Sequence, residues 1–184
     1  MFSYTNKILD VNLTDKKIKT TNLDEKNAKK FVGGKGLGAK ILYDNLKKNT
    51  NPLSPENIII FASGPLTATL APSSARWCVV TKSPLTNIFL DSQVGGSFGI
   101  KMKKAGFDFI IVRGKSSYPV YLKVSDDNCE IIDAKDLWGK GCFYTEKTLK
   151  KELGKNVSVA SISTAGEKLV RYACISIDMY RQAG

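Results

Sequence analysis

Histidine is absent from this 184-residue sequence, and its four cysteines, Cys78, Cys129, Cys142 and Cys174, stand far apart with no Cys-x-x-Cys pair. Zinc sites and self-contained iron–sulfur sites draw on closely spaced thiolates or imidazoles, so neither is expected. Cys78 and Cys174 fall in the apolar runs WCVV and YACISI and read as buried thiols in a reducing compartment. No apolar run approaches the roughly 20 residues that cross a bilayer. The N-terminus, MFSYTNKILDVNL, lacks a basic segment followed by an apolar one, so no secretory signal is read and a cytoplasmic location is expected. The phosphate loop Gly-x4-Gly-Lys-Ser/Thr is missing as well. Arginine is scarce: only Arg76, Arg113, Arg171 and Arg181 among 28 basic residues.

What is present is lysine. The net charge of +11 creates a positive field that favours phosphates, nucleic acid or acidic proteins. The lysines are spread from Lys7 to Lys150 and beyond, and no stretch joins dense arginine to aromatics as a nucleic-acid groove does. A solvated basic surface is the simplest reading. With 42% hydrophobic and 24% charged residues, the chain has the composition of one globular domain, able to bury about 70% of its unfolded surface.

KILDVNLT alternates as a strand, and KIKTTNL reads as its hairpin partner across Thr14-Asp15-Lys16. Asp24 is placed to cap a helix through DEKNAKKFV, which Gly33-Gly34 would end, and GLGAKILYDNLKK carries Leu37, Ile41, Leu42 and Leu46 at helical spacing. NIIIFAS, WCVVTK and FDFIIVRG read as buried strands, VYLKV and CEIID as a hairpin, FYTEKTLKKEL as a helix, and VSVASI with VRYACISI as late strands. Strands and helices do not alternate regularly. The fold class expected is therefore α+β, with mixed or antiparallel sheets and a few helices, rather than a doubly wound parallel sheet.

Two glycine stretches merit weighing. Residues 33–39, GGKGLGA, contain Gly-x-Gly-x-x-Ala, but a dinucleotide fingerprint needs a preceding strand, and here NAKKFV reads as helix. A helix-breaking turn is the better reading, with contact to some other ligand left open. In DSQVGGSFGIKMKKAGFD, Gly95-Gly96 follows a strand and opens a helix from Ser97 toward Lys104. Free N–H groups there suit an anion, while Gly96 at positive φ in a plain strand-to-helix turn is the competing reading. Local physics weighs the two evenly.

Together, GGKGLGAK (33–40), NPLSPEN (51–57), GPLTATLAPSSAR (64–76), VVTKSPLTN (79–87), GGSFGIKMKKAGFDFIIVRGK (95–115), LWGK (137–140), TAGEKLVRYA (164–173) and RQAG (181–184) resemble, in this order, the N-terminal domain of the aldehyde:ferredoxin oxidoreductase family. The resemblance covers nearly the whole chain, and implies a single domain over 1–184, truncated at its C-terminal end. It implies an enzyme that oxidises aldehydes to carboxylic acids at tungsten, or molybdenum, held by a bis-molybdopterin (tungstopterin). Electrons would leave through an iron–sulfur cluster to ferredoxin. The cluster ligands and most of the substrate pocket would lie in C-terminal domains, in cis or on a separate chain, so these 184 residues alone would be inactive. A homodimer is left open; no membrane partner is implied.

The site residues follow from the same resemblance. Arg76, which alone would read as a surface salt-bridge residue, matches an arginine between a pterin and the cluster, a task suited to a planar, always-charged fork. Gly95, with Gly96 beside it, matches a backbone phosphate contact, and Arg181 a phosphate-binding arginine. Gln93 occupies the position of an asparagine that helps hold a magnesium ion bridging the pterin phosphates. The carbonyl of Gln182 matches the other magnesium contact. No residue of this chain is expected to be catalytic. Two further readings stay open: a noncatalytic descendant that binds a phosphorylated ligand or a protein partner, and a basic nucleic-acid module, disfavoured by the scattered lysines.

Overall fold

A computed structural model describes residues 2–184. Strand β1 (Lys7–Asn12) buries Leu9 and Val11 on one side and is joined by a tight turn to β2 (Lys17–Asn22). β2 is an edge strand exposed along most of its length, and its two lysines, Lys17 and Lys19, discourage pairing with a second chain. Asp24 caps helix α1 (Glu25–Phe31) by accepting from the Lys26 N–H at 3.0 Å, as its position predicted. Helix α2 (Gly34–Asn45) follows, then β3 (Ile58–Ser63), β4 (Trp77–Lys82), β5 (Phe89–Val94), α3 (Phe98–Lys104) and β6 (Phe109–Arg113). The chain continues through the hairpin β7 (Val120–Ser125) and β8 (Asn128–Asp133), helix α4 (Gly141–Leu153), β9 (Ala160–Ile162), the single turn α5 (Thr164–Glu167), β10 (Ile175–Ile177) and β11 (Arg181–Ala183).

Six strands form the central sheet in the order β2-β1-β6-β3-β4-β5, in which only β1 and β6 run parallel. Both faces are covered. On one side α1 and α2 pack Ala28, Leu37 and Leu42 against Ile58, Ile60, Ala62, Cys78, Val80, Phe109 and Ile111. On the other, α3 and the β7–β8 hairpin close over Leu9, Val11 and Ile110, while the small sheet β11-β10-β9 brings Ile177 and Ala183 onto Trp77, Val79 and Val94. Alternate residues of one strand thus serve two cores, which is why IIIF and WCVV read as unbroken apolar runs. Truncating Leu37, 2% exposed, to alanine would cost about 2–5 kcal/mol.

The mixed α+β architecture agrees with the sequence reading. Three details differ. Helix α2 starts two residues before the GLGAKILYDNLKK segment read as helical: Val32 and Gly33 make the break, and Gly34 and Lys35 already lie inside α2. A Cβ at Gly38 would come within 3.0 Å of Val80 Cγ2, so this glycine lets the helix lie close on β4. The late strands are only three residues long, because Val170 and Ala173 are taken into turns by hydrogen bonds to Ala165 O and Val170 O. Cys78 is buried as expected, whereas Cys174 is only half-buried beside those turns.

Candidate functional site

β4 and β5 pair at the free edge of the central sheet with Trp77 opposite Val94 and Cys78 opposite Gln93. Arg76 directly precedes Trp77 and Gly95 directly follows Val94, so both stand at the same end of this ladder. Arg76 closes the long loop from Gly64. Its main-chain carbonyl accepts from Thr67 Oγ1 at 3.1 Å, while its exposed guanidinium makes no hydrogen bond or ion pair to another described residue. The surface salt bridge that an isolated arginine suggests is therefore not formed.

The glycine pair turns the chain from β5 into α3. Gly96 has φ +92°, a conformation that L side chains rarely adopt. A side chain here would also meet Arg181: a Cβ on Gly96 would lie 3.0 Å from Arg181 Cδ and 3.3 Å from Arg181 Nε, a tight contact that the exposed arginine can relieve by shifting, and one on Gly95 would lie 3.6 Å from that Nε, an ordinary contact. The Arg181 side chain is therefore laid along the glycine turn.

Arg181 is held there by its hairpin. It pairs with Ile177 across β10 and β11, and the connecting turn places Asp178 and Met179 at φ +48° and +63°. The Asp178 carboxylate accepts from Ser97 Oγ at 2.7 Å, from Ser158 Oγ at 2.8 Å and from the Val159 N–H at 3.3 Å. Burial pushes its pKa up, but these hydrogen bonds and the Lys150 charge outweigh burial and hold it below the ordinary aspartate range. Ser97 is the residue after Gly96, so one carboxylate clips the Arg181 hairpin to the turn that Arg181 covers.

Gln93 is exposed one step inside the ladder. Asp91, two residues earlier on the same face of β5, is ion-paired at 3.1 Å with Lys35 from the first turn of α2. Gln182 lies next to Arg181 with its side chain turned onto its own small sheet, where Nε2 donates to Ser176 Oγ at 3.3 Å. It also lines an apolar cleft of about 410 Å³ with Cys142, Tyr172, Cys174 and Met179. The structure thus gathers Arg76, Gln93, Gly95, Gly96 and Arg181 at one end of the β4–β5 ladder and sets Gln182 beside them. Reading the sequence missed Asp178, for which no local signal exists: its partners Ser97 and Ser158 lie 81 and 20 residues away. Among the described residues no group of three or more His, Cys, Asp or Glu side chains could hold a metal ion, and no helix is long and apolar enough to cross a membrane.

Comparison with known proteins bears on this arrangement. Residues 8–184 match the family model of the aldehyde ferredoxin oxidoreductase N-terminal domain. The whole chain is 49% identical to a tungsten-containing aldehyde ferredoxin oxidoreductase of Pyrococcus abyssi and 48% identical to that of Pyrococcus horikoshii, in each case spanning 30% of the relative's length. A solved structure, the active site complex BamBC of benzoyl coenzyme A reductase with 1,5-dienoyl-CoA, superposes with a TM-score of 0.95 at 40% identity, covering 99% of this chain and 28% of that one. The chain belongs to the aldehyde ferredoxin oxidoreductase family, of which it carries the N-terminal domain.

Proposed function

We propose that this chain is the cofactor platform of a tungsten bis-molybdopterin, iron–sulfur enzyme that oxidises aldehydes to carboxylic acids, with ferredoxin as electron acceptor. The observation that carries the reading is the Arg181 side chain laid over Gly95-Gly96, with the unpaired Arg76 at the same end of the strand pair. Two cations beside a turn that has no side chains form a donor set suited to an anionic, phosphate-bearing group. The residues present therefore fit a pterin with its phosphates. When bound, the tungstopterin supplies the two-electron redox chemistry, and the reaction balances as RCHO + H2O → RCOOH + 2 H+ + 2 e−.

This chain's own residues bind and orient. The Arg181 guanidinium and the Gly95 N–H hold phosphate oxygens. The Arg76 fork, with donors on two edges, would hydrogen-bond the pterin and supply a fixed positive charge beside the redox groups. Gln93 has an exposed carboxamide on an arm one methylene longer than asparagine and would offer its oxygen to a magnesium ion. Gln182 offers its main-chain carbonyl, its side-chain amide being engaged with Ser176. The cluster ligands would come from outside this chain: the four cysteines form no group with His, Asp or Glu that could hold a metal among the described residues, and burial pushes the Cys78 and Cys129 thiols up to about 11, which disfavours the thiolate that iron requires. We place the enzyme in the cytoplasm and expect the domain by itself to be inactive. Its basic surface favours an acidic electron-transfer partner.

A domain of the same fold, 40% identical, occurs in the solved active site complex of a benzoyl coenzyme A reductase. That argues for substrate choice residing in other parts of the protein. The test is an Arg181→Ala variant of the full-length protein, purified anaerobically. Tungsten, pterin and phosphate content should fall together while the fold is kept. Full cofactor content in the variant would remove the assigned role.

A further inference from the structure

Arg76 ends a loop that has little to hold it. Residues 64–75 contain no charged side chain, Leu66 and Leu70 point into solvent, and the loop's outer part is stitched only to itself, by Thr69 and Ser74 bonding to Leu66 O, Ala71 N and Ala71 O. Its base is different. Thr67 is 2% exposed. Its hydroxyl accepts from the Gly64 N–H at 3.2 Å and donates to Arg76 O at 3.1 Å, so one side chain ties the first residue of the loop to the last.

Beneath it lies Lys103 of α3, 7% exposed. Its ammonium donates to Gly64 O at 3.1 Å, Pro65 O at 3.2 Å and Ser3 O at 2.6 Å, with Asp108 Oδ1 at 3.6 Å. Asp108 in turn accepts from the Thr5 and Asn6 N–H groups, and its main-chain carbonyl accepts from Ser63 N and Oγ. A buried charge pair is a poor source of stability compared with apolar packing, but it specifies geometry when every donor is used. Here it fixes the chain entry, the end of β3 and the start of the loop in one node.

We infer that Thr67 and Lys103 are positioning residues for Arg76: they set where the arginine's main chain stands, so that its free guanidinium is presented at a fixed place. The inference rests on the role given to Arg76 under Proposed function. Thr67 carries the sharper test, since Thr67→Val removes only the hydroxyl's two hydrogen bonds, and Thr67→Ser restores them.

The experiment uses the full-length protein in cofactor-free and loaded forms. In the cofactor-free form, hydrogen–deuterium exchange over residues 64–76 is expected to quicken about tenfold in Thr67→Val, the scale of losing a buried hydrogen bond, with β3 and β6 still protected and Thr67→Ser like the parent. Lys103→Met should loosen the same loop together with residues 3–6. In the loaded form, Thr67→Val should slow electron transfer to ferredoxin about tenfold at unchanged tungsten content, in the direction expected of Arg76→Lys. Unchanged exchange in Thr67→Val overturns the inference. So does faster exchange with electron transfer intact while Arg76→Lys impairs it. If Arg76→Lys itself transfers electrons normally, the role assigned to Arg76 falls, and the exchange result alone upholds or overturns the positioning by Thr67 and Lys103.

Discussion

Arg76 and Arg181 flank the same end of the β4–β5 ladder, yet they are held in opposite ways. Arg181 has its side chain in place already, laid along Gly95-Gly96 and carried by a hairpin that Asp178 clips to Ser97. Arg76 has only its main chain fixed, through Thr67, and its guanidinium is left free. One arginine is packed on the turn it serves and the other stands clear of the fold, while neither guanidinium has a hydrogen bond or ion pair to another described residue. Rigid placement lowers the ordering cost of binding, whereas a free fork can meet two different groups at once. The contrast predicts a stability loss when the turn and hairpin that carry Arg181 are altered and almost none when the Arg76 side chain is replaced.

Gly96→Val should have the largest effect. A β-branched residue would be forced to a φ near +92° and would strike Arg181 Cδ at about its Cβ, for a strain of roughly 1–3 kcal/mol before any clash is counted. Chemical denaturation should show that loss, with cofactor content falling in parallel. A variant as stable as the parent would mean that the turn is adaptable and Arg181 is not preformed.

Asp178→Asn comes next. It removes the charge and one acceptor oxygen from a carboxylate that receives Ser97, Ser158 and the Val159 N–H, and hydrogen bonds to a charged group are worth about 1.5–3 kcal/mol. The pH dependence has a definite sign. Because Asp178 is held below its ordinary value in the folded protein, its contribution is complete above the unfolded-state pKa and is lost as pH falls through the folded one. The stability gap between parent and variant should therefore be full at neutral pH and shrink only in strong acid. A gap that is constant down to acid would show that the loss comes from packing and not from the carboxylate.

How far the sequence foretold this follows the range of each interaction. The β1–β2 hairpin, the Asp24 cap, β3, β4, β6 and the β7–β8 pair were legible because alternation and capping are local. Gly96 was legible as a turn glycine for the same reason. The reason for a glycine at position 38 of α2 was not, since it is needed against Val80 on a strand still to come. The late strands were read too long: an apolar run marks burial, and here part of it lies in turns. Gly95, Gly96 and Arg181 came together from a family resemblance, and the contact among them appears only once β11 folds back on β5. Asp178 and Lys103 could not be read at all, because each looks like an ordinary surface charge until partners from distant segments close around it.

Arg76→Lys should change stability least and is the sharpest test of the contrast. The guanidinium has no hydrogen bond or ion pair among the described residues, so replacing it breaks no such contact, and exposed substitutions of this kind fall within about 0.5 kcal/mol. The charge is kept. What disappears is the flat fork with donors on two edges, which a single ammonium cannot reproduce. Melting temperature should stay at the parent value, while in the full-length protein the exchange of electrons between pterin and cluster slows or the pterin is lost. A fall in melting temperature with cofactor content and turnover preserved in the folded fraction would show that Arg76, like Arg181, is part of the preformed structure, and the distinction between the two arginines would be gone.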